Sequence, residues 1–289
     1  MGTEEEQSAR LVWQYGEPIH AVVFFAPETR TATDGLGVKG GWMSYFDCRA
    51  APLGAVSAAV VRSIFYGFHP QRVERAIPDV WAYAEPQQFI DARLSAMDAA
   101  LGRLLGEAID GPDVRRAASL ATAAVHSADF SGRPLGAANA ALADPGAPHL
   151  QLWQALGAMR EHRGDGHVAC LVAHQVHPCE SLVMQAATGR SEREGLLAKR
   201  GWSDEEWQTA VRHLREREWL DDEERPTPAG SKARNAIEAD TDRLAAPLAA
   251  TLGARSVELV EAMRPLAERI MAAGEVPKRN NMGLPWPSP

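Results

Sequence analysis

Apolar residues recur at helical spacing along much of the chain. Phe89, Met97, Leu101 and Leu104 fall on one face of a helix, because they lie three, four or eight residues apart. Similar segments, separated by proline and glycine, run through residues 8–143. This pattern predicts an all-helical N-terminal region.

The pattern changes after a stretch rich in proline and glycine at residues 141–149, which is the most linker-like part of the chain. Further along, Ser191 and Ser203 each stand at the N-cap of a helix and are followed by acidic residues in its first turn. A short extended turn and a long helix come next. The pattern therefore predicts a mainly α-helical protein that divides after residue 147.

The order of elements from residue 191 resembles the MarR-like winged helix-turn-helix. A helix over 191–201 ("SEREGLLAKRG"), a turn and a helix over 203–220 ("SDEEWQTAVRHLREREWL") follow the order of that family. On this resemblance the second helix is the recognition helix, and it buries Trp207, Val211 and Leu214. The resemblance covers roughly the last third of the chain.

The segment after the recognition helix follows the same family with one departure. Trp219 and Leu220 stand where the first wing strand begins, and residues 226–230 replace the Leu-Thr-x-x-Gly turn, with Pro226 in place of leucine. The resemblance implies a small two-stranded β wing and a dimerisation helix, and therefore a homodimer. The expected organisation is an all-helical N-terminal domain over 1–147, a winged helix-turn-helix domain with long C-terminal helices over 148–275, and an extended proline-rich tail over 276–289.

The whole chain also resembles an uncharacterised actinobacterial family. Its members join a helical N-terminal region to such a winged helix. The resemblance is carried by the segments "HAVVFFAPE", "GWMSYFDCRAAPLGAV", "HPQRVERAIPDVW", "REHRGDGHVA" and "GWSDEEW". It implies this architecture and a role in specialised metabolism, but no particular reaction.

The charge of the recognition helix argues against DNA binding. The chain has a net charge of −8, and residues 201–225 hold nine acidic residues against four arginines. Asp204, Glu205 and Glu206 occupy the helix start, where DNA-binding helices present Arg, Lys, Asn or Gln to the bases. Because neutralised phosphates supply much of the affinity for DNA, we expect no DNA binding through this helix.

Cysteine usage and hydropathy indicate a cytoplasmic protein. The three cysteines cannot all form pairs, which favours a reduced compartment. No apolar run approaches the roughly 20 residues that span a bilayer, and the acidic start does not resemble a signal peptide. We therefore expect no membrane association.

Residues 160–181 ("REHRGDGHVACLVAHQVHPCES") hold four of the nine histidines. If the segment after Gly166 is helical, His174 and His177 are the pair best placed to bind one zinc or copper ion. The alternative is a packed helix face whose histidines are satisfied by carbonyl groups or water. The sequence predicts no cofactor beyond this candidate metal.

The motif "EHRGDGH" at residues 161–167 gathers charged side chains around two glycines. We expect Gly164 and Gly166 to break the helix there and to allow a ligand to approach closely. In this interpretation Arg163 contacts the ligand, and the candidate catalytic residues for proton exchange are His162, Asp165 and His167. Alternatively, Arg163 and Asp165 lock the junction with a salt bridge.

The N-terminal region contributes an aromatic and polar set of the kind that lines sites for small organic molecules. Glu28 and Arg49 are hard to place in an apolar core without partners, and we expect them to pair with each other or with a ligand. The alternative interpretation is an ordinary aromatic core. The candidate ligand-binding residues of this set are His20, Glu28, Trp42, Tyr45, Phe46, Arg49 and Tyr66.

These observations lead to one main hypothesis and two alternatives. The chain contains no phosphate-binding glycine loop and no GxSxG nucleophile elbow. The main hypothesis is a protein, enzymatic or sequestering, that binds a small organic molecule between its two regions. The alternatives are a dimeric transcription regulator and a metalloprotein that uses His174 and His177.

Overall fold

The computed structural model describes residues 2–278, 282 and 286, and these residues form a mainly α-helical structure. None of the helices in this part of the chain is both long and apolar enough to cross a membrane. The helices are α1 (Glu4–Ala21), α2 (Pro27–Gly35), α3 (Gly41–Ala50), α4 (Ala58–Ile64), α5 (Pro70–Glu74), α6 (Pro86–Leu105), α7 (Pro112–Ser127), α8 (Pro134–Ala140), α9 (Pro148–Ala173), α10 (Pro178–Ala187), α11 (Arg193–Arg200), α12 (Asp204–Glu216), α13 (Pro228–Ala250) and α14 (Arg255–Ala272).

Proline marks the start of helices in this chain. Eight of the helices in the described residues begin with proline, among them α2, α9 and α13. The first backbone N–H groups of a helix have no partner inside it, so proline, which lacks this group and has a fixed φ, suits the first position. The proline-rich stretches thus determine where most helices begin.

Helix α9 is the central element of the fold. It packs against α1, α7, α8 and α13, and its first half contributes Trp153 and Leu156 to the largest core. Glycines bring α1 and α9 close together, since a Cβ on Gly16 would lie 2.9 Å from Leu156 and one on Gly157 would lie 2.8 Å from the ring of His20. The domain boundary after residue 147 stays a prediction, and the core continues across it.

The prediction of a helix break at Gly164 and Gly166 was wrong, because α9 continues through both residues. Each glycine costs a helix only about 1 kcal/mol relative to alanine, which is less than the loss of the hydrogen bonds that a break would cause. Gly166 serves close packing: a Cβ there would lie 2.2 Å from Nη1 of Arg133. Arg133 passes over α9 at this point and donates to the carbonyl oxygen of Leu244 at 2.9 Å.

The helix-turn-helix consists of α11, a turn and α12. The prediction for the buried face of α12 is confirmed, since Trp207, Val211 and Leu214 are at most 1% exposed. The Ser203 side chain caps the helix by accepting from the N–H of Glu206 at 3.2 Å. This amphipathic helix packs on α10, which completes a small separate core.

The predicted two-stranded wing is not formed in the described residues. Leu220 and Pro226 form a single antiparallel bridge, and the residues between them make a tight turn. The Asp221 carboxylate holds this turn by accepting from the N–H groups of Glu223 and Arg225 at 3.0 and 2.8 Å. The pairing stops at one bridge because the Trp219 N–H donates to the carbonyl oxygen of Leu214 at the end of α12, at 2.8 Å, and Thr227 already caps the start of α13.

The predicted proline-rich tail falls largely outside the described residues. Of residues 276–289, the structure describes 276–278, 282 and 286. The Trp286 ring lies edge-on to Tyr15 with centroids 6.1 Å apart. At this point the tail therefore returns to α1.

Gly230→Ala should destabilise the protein by about 1–3 kcal/mol, as overpacking typically does. A Cβ at this position would lie 2.0 Å from the carbonyl oxygen of Trp219, which is backbone and cannot move aside cheaply. Gly35→Ala is the control, because it has open space around the added methyl. Urea denaturation of the two variants measures the difference, and equal midpoints would contradict the prediction.

Candidate functional site

A cavity of about 700 Å³ lies between the N-terminal helices and α9 to α13. The second half of α9 forms one wall. Arg160, Arg163, Gly164, His167 and Leu171 line it at intervals of one, three or four residues, which places them along one side of an α-helix. The continuity of α9 through Gly164 therefore creates this wall.

Aromatic rings from α3 and from the residues after α4 form the opposite wall. Trp42 and Tyr45 lie one helical turn apart on α3, and Phe65, Tyr66 and Phe68 follow α4. The Tyr45 and Trp42 rings lie 5.4 and 5.9 Å from the Phe68 ring. The Tyr66 hydroxyl donates to the carbonyl oxygen of Val176 at 2.8 Å, which ties this wall to the helix-turn-helix region.

The cavity is basic although the chain as a whole is acidic. Among the described residues, seven basic and four acidic side chains line it, whereas the chain carries a net charge of −8. The basic side chains are Arg49, Arg160, Arg163, Arg190, Lys199, Arg200 and Arg234, and the acidic ones are Glu17, Glu161, Asp165 and Glu238.

Glu161 organises the arginines at one end of the cavity. Arg49 donates to it twice at 2.8 Å, through Nε and Nη2, and Arg160 donates once at 2.6 Å. Burial opposes ionisation of Glu161, but the charges of Arg160 and Arg49 outweigh this and lower its pKa to about 2. Arg160 also donates to Glu17 at 3.0 Å. Both guanidinium groups are therefore bonded to carboxylates of the protein.

The Tyr45 hydroxyl lies beside these arginines. It accepts from Nη1 of Arg49 at 3.1 Å. Arg200 packs over the Phe68 ring nearby, with its guanidinium carbon 4.3 Å from the ring's centre. Burial raises the pKa of Tyr45, but the charges of Arg49, Arg200 and Arg160 more than offset this, so that its pKa is lowered. Tyr45 can therefore act as a hydrogen-bond partner within a positively charged corner.

Glu238 of α13 organises a second group of arginines. Its carboxylate lies 2.6 Å from Arg234, 3.4 Å from Arg10, 3.9 Å from Arg190 and 4.0 Å from Arg163. Burial raises the pKa of Glu238, but Arg234 and the other neighbouring cations lower it to about 2. One carboxylate thus serves several guanidinium groups, which leaves this end of the cavity positively charged.

Two predicted catalytic residues, His167 and Asp165, line the cavity. Nδ1 of His167 lies 2.9 Å from the Thr241 hydroxyl, and burial lowers its pKa to about 4, so the ring is neutral near pH 7. Asp165 accepts from the N–H groups of Leu135 and Gly136 at 3.0 and 2.9 Å. Burial raises the pKa of Asp165 to about 6. Asp165 therefore supplies acceptors for the free N–H groups in the first turn of α8, which is a structural role.

Several predicted site residues lie away from the cavity. The His20 ring stacks on Trp153 at 5.2 Å in the core, where burial lowers its pKa to about 3. The His162 ring lies edge-on to Phe130 at 5.4 Å, with its pKa lowered to about 4 by burial. Phe46 is fully buried. Of the predicted residues, the structure brings Trp42, Tyr45, Arg49, Tyr66, Arg163, Asp165 and His167 together around the cavity.

Glu28 and Arg49 do not pair with each other, so that part of the prediction was wrong. Glu28 accepts from Nε and Nη2 of Arg103 at 2.7 and 2.9 Å, outside the cavity. Arg49 instead pairs with Glu161, more than one hundred residues away. Such long-range pairs depend on how the helices pack and leave no local signal in the sequence.

The structure does not support the predicted metal pair. Helix α9 ends at Ala173, so His174 and His177 do not share a helix. Nε2 of His174 lies 2.9 Å from Asp240, and the N–H of His177 donates to Glu180 at the start of α10. Among the described residues, no group of three or more His, Cys, Asp or Glu side chains is arranged to hold a metal ion.

Some cavity residues were missed by the sequence reasoning. Arg160 carries a recognisable signal, since it lies four residues before Gly164 and seven before His167 on α9. Arg234 and Glu238 form an i, i+4 pair on α13 that resembles an ordinary exposed ion pair in the sequence. Arg190 follows α10 and carries no pattern at all.

The start of α12 contacts the N-terminal part of the chain, although Asp204 itself stays 75% exposed. The Trp202 indole donates to the carbonyl oxygen of Gly67 at 3.0 Å. The His69 N–H donates to the carbonyl oxygen of Arg200 at 2.9 Å, and the His69 ring lies 3.0 Å from Glu206. In DNA-binding proteins this end of the helix approaches the bases, but here it is engaged by the protein itself.

A family model described as a helix-turn-helix family matches residues 9–277. The match extends over the N-terminal helices, the cavity and the helix-turn-helix. No curated protein and no solved structure gives a significant match to the chain.

Glu161→Gln should destabilise the protein by about 3 kcal/mol, because it removes a buried carboxylate and leaves the largely buried Arg49 and Arg160 without their shared counter-charge. Glu74→Gln is the matched control. It breaks the ion pair between Glu74 and Arg62, whose side chains are 47% and 45% exposed, respectively. This loss should cost less than about 1 kcal/mol. Chemical denaturation measures both changes, and equal losses would refute the buried network.

Proposed function

The chain belongs to a helix-turn-helix family, and we propose that it binds a small organic molecule in the cavity between its N-terminal helices and its helix-turn-helix. The observation that carries the proposal is the cavity itself. Its volume of about 700 Å³ lies within the range of roughly 300–1,000 Å³ that is typical of ligand sites. Aromatic walls with a few fixed polar groups match the composition of such sites.

Each wall has a distinct part in binding. The rings of Trp42, Tyr45 and Phe68 offer flat apolar surface for the body of a ligand. The arginines and the Tyr45 hydroxyl supply directional donors. His167, which is neutral, can donate or accept through the ring nitrogen that does not face Thr241. A sequestering protein or an enzyme of specialised metabolism can be built on such a site.

We propose binding, without a particular reaction, at this cavity. Asp165 already accepts two backbone N–H groups, and His162 lies outside the cavity lining. Of the predicted catalytic residues, His167 is thus the one with a ring that faces the ligand space and with a titratable nitrogen. Catalysis by His167 stays a prediction.

A DNA-binding regulator is the second candidate, because membership of a helix-turn-helix family favours it. The contacts of α12 argue against it. The acidic start of α12 is held by Arg193, which pairs with Asp204, and by His69, which contacts Glu206. Phosphates approaching this end of the helix would meet carboxylates that already contact Arg193 and His69.

Binding to DNA should therefore be undetectable or independent of this helix. A gel-shift titration with DNA from upstream of the gene, at about 50 and 200 mM salt, measures it. Phosphate contacts would make binding fall steeply with salt over this range. A sequence-specific complex that weakens in this way, and that is lost in Arg212→Ala, would support the regulator instead. Arg212 is an exposed arginine of α12.

Filling the cavity should abolish ligand binding without unfolding the protein. Gly164 lines the cavity, and a Cβ there would contact only Glu161, at an ordinary 3.5 Å. Gly164→Trp should weaken binding of 2-naphthoate or 2-naphthamide at least tenfold, as measured by calorimetry. Gly164→Ala is the control: it should retain binding and gain up to about 1 kcal/mol in stability.

The outcome distinguishes binding in the cavity from binding elsewhere. Equal affinity in Gly164→Trp and the unmodified protein would move the binding site away from the cavity. Absence of binding by both probes to the unmodified protein would contradict the proposed function. Thermal melting of each variant checks that the fold is intact.

A further inference from the structure

We infer that the ligand of the cavity is an organic anion whose carboxylate or phosphate group binds between Arg190 and Arg234. The inference rests on the proposed function and adds the chemical class of the ligand and the place of its charged group. Arg190 lies after α10, and Arg234 lies on α13. Their guanidinium groups meet at Glu238, on the wall of the cavity.

Basic side chains are concentrated around the cavity. Within the described part of the chain, the cavity lining holds three more basic than acidic side chains, in a protein whose net charge is −8. Buried charge is costly unless it is paired, because a medium of low dielectric constant solvates ions poorly. A cavity with this excess is therefore complementary to an anion.

At the end of the cavity near α3, the arginines already have partners, since Arg200 packs over the Phe68 ring and bonds to Tyr45. Arg49 and Arg160 bond to Glu161, and Arg160 also bonds to Glu17. The end of the cavity near α3 therefore already has carboxylates for these two arginines. An incoming anion would compete there with groups that are bonded at 2.6–3.0 Å.

The end near α13 is different, because its carboxylates are shared among more cations. Asp242 pairs with Arg10 and Arg163, at 2.5 and 2.8 Å. Among the described residues, Glu238 is then the one carboxylate that Arg190 and Arg234 both approach within 4 Å, so the two positive charges share a single negative charge.

The hydrogen bonds of Arg190 and Arg234 also leave room for an anion. Arg190 approaches Glu238 only to 3.9 Å, which is longer than a hydrogen bond. Nε of Arg234 is buried and has no hydrogen-bond acceptor among the described residues, although Nη2 of the same group lies 2.6 Å from Glu238. Two guanidinium groups with unused N–H donors form a fork that suits a carboxylate or a phosphate.

The surroundings indicate an organic anion rather than a nucleic acid or a bare inorganic ion. Both arginines line the cavity, and Arg234 is only 13% exposed, so a duplex cannot contact the two together. The aromatic wall described above would remain exposed if only an inorganic ion were bound. An aromatic acid or an aryl phosphate can place its charged group at the arginines and its ring against the aromatic wall.

The test compares three probes of nearly the same shape. Calorimetry at constant ionic strength measures the affinity of the full-length protein for 2-naphthoate, 2-naphthyl phosphate and the neutral 2-naphthamide. We expect at least one of the two anions to bind at least tenfold more tightly than the amide, and the tighter anion identifies the preferred group. Equal affinity for all three would overturn the inference while leaving the proposed function intact. No binding by any probe would contradict the proposed function itself.

Variants then test the location. Arg190→Ala should reduce affinity for the preferred anion about tenfold and change affinity for the amide little. Its effect on the melting temperature should be small, because Arg190 is 34% exposed and lies beyond hydrogen-bonding distance of Glu238. Arg234→Lys keeps the charge and removes the fork, and it should give an intermediate loss. Arg62→Ala, which alters an exposed arginine of α4, is the control and should leave all affinities unchanged. Retention of the anion preference in Arg190→Ala and Arg234→Lys would overturn the assignment to these arginines.

Discussion

Helix α9 has to remain continuous from Pro148 to Ala173 for the rest of the structure to exist, because its two halves perform different tasks. The first half is inserted in the largest apolar core, with Trp153 and Leu156 almost fully buried. The second half lines the cavity. A helix is stiff over this length, so packing of the first half fixes the direction of the second. The core therefore positions the cavity wall without help from flexible loops.

Two glycines make this arrangement possible in opposite ways. Gly166 lets Arg133 cross α9 and bond to Leu244 on α13, which locks α8, α9 and α13 together. Gly164 leaves space where another residue would place a side chain into the cavity. The helix tolerates both residues because the tertiary contacts on either side outweigh their low helix propensity.

Much of the fold could be predicted from the sequence, because helical periodicity is a local property. The buried face of α12 was recognisable from Trp207, Val211 and Leu214, which are spaced along one side of the helix. The prediction of a helix break at Gly164 and Gly166 was wrong because it considered only the low helix propensity of glycine and not the close packing that glycine permits. The prediction of a wing was wrong because Trp219 and Thr227, on either side of the single bridge, are held by the end of α12 and by the start of α13.

The candidate site was predictable only in part, for a similar reason. Trp42, Tyr45 and Arg49 could be recognised as one group because they share a short helix. Pairs such as Arg49 with Glu161 join distant parts of the chain, and no local pattern specifies them. The cluster of histidines attracted attention through composition, whereas the arginines around Glu238 are scattered over four elements or their flanks and become a group only in the folded protein.

The first helix of the helix-turn-helix forms part of the cavity wall. Lys199 and Arg200 of α11 line the cavity, and Trp202 bonds to Gly67 in the N-terminal part. A helix-turn-helix that reads DNA must leave the start of its second helix open to the major groove. When that end is instead packed against the same chain, carboxylates such as Asp204 and Glu206 encounter Arg193 and His69 rather than phosphates. The exposed start of α12 is thus acidic, whereas basic side chains predominate around the cavity, and this distribution favours an anion in the cavity over phosphates at α12.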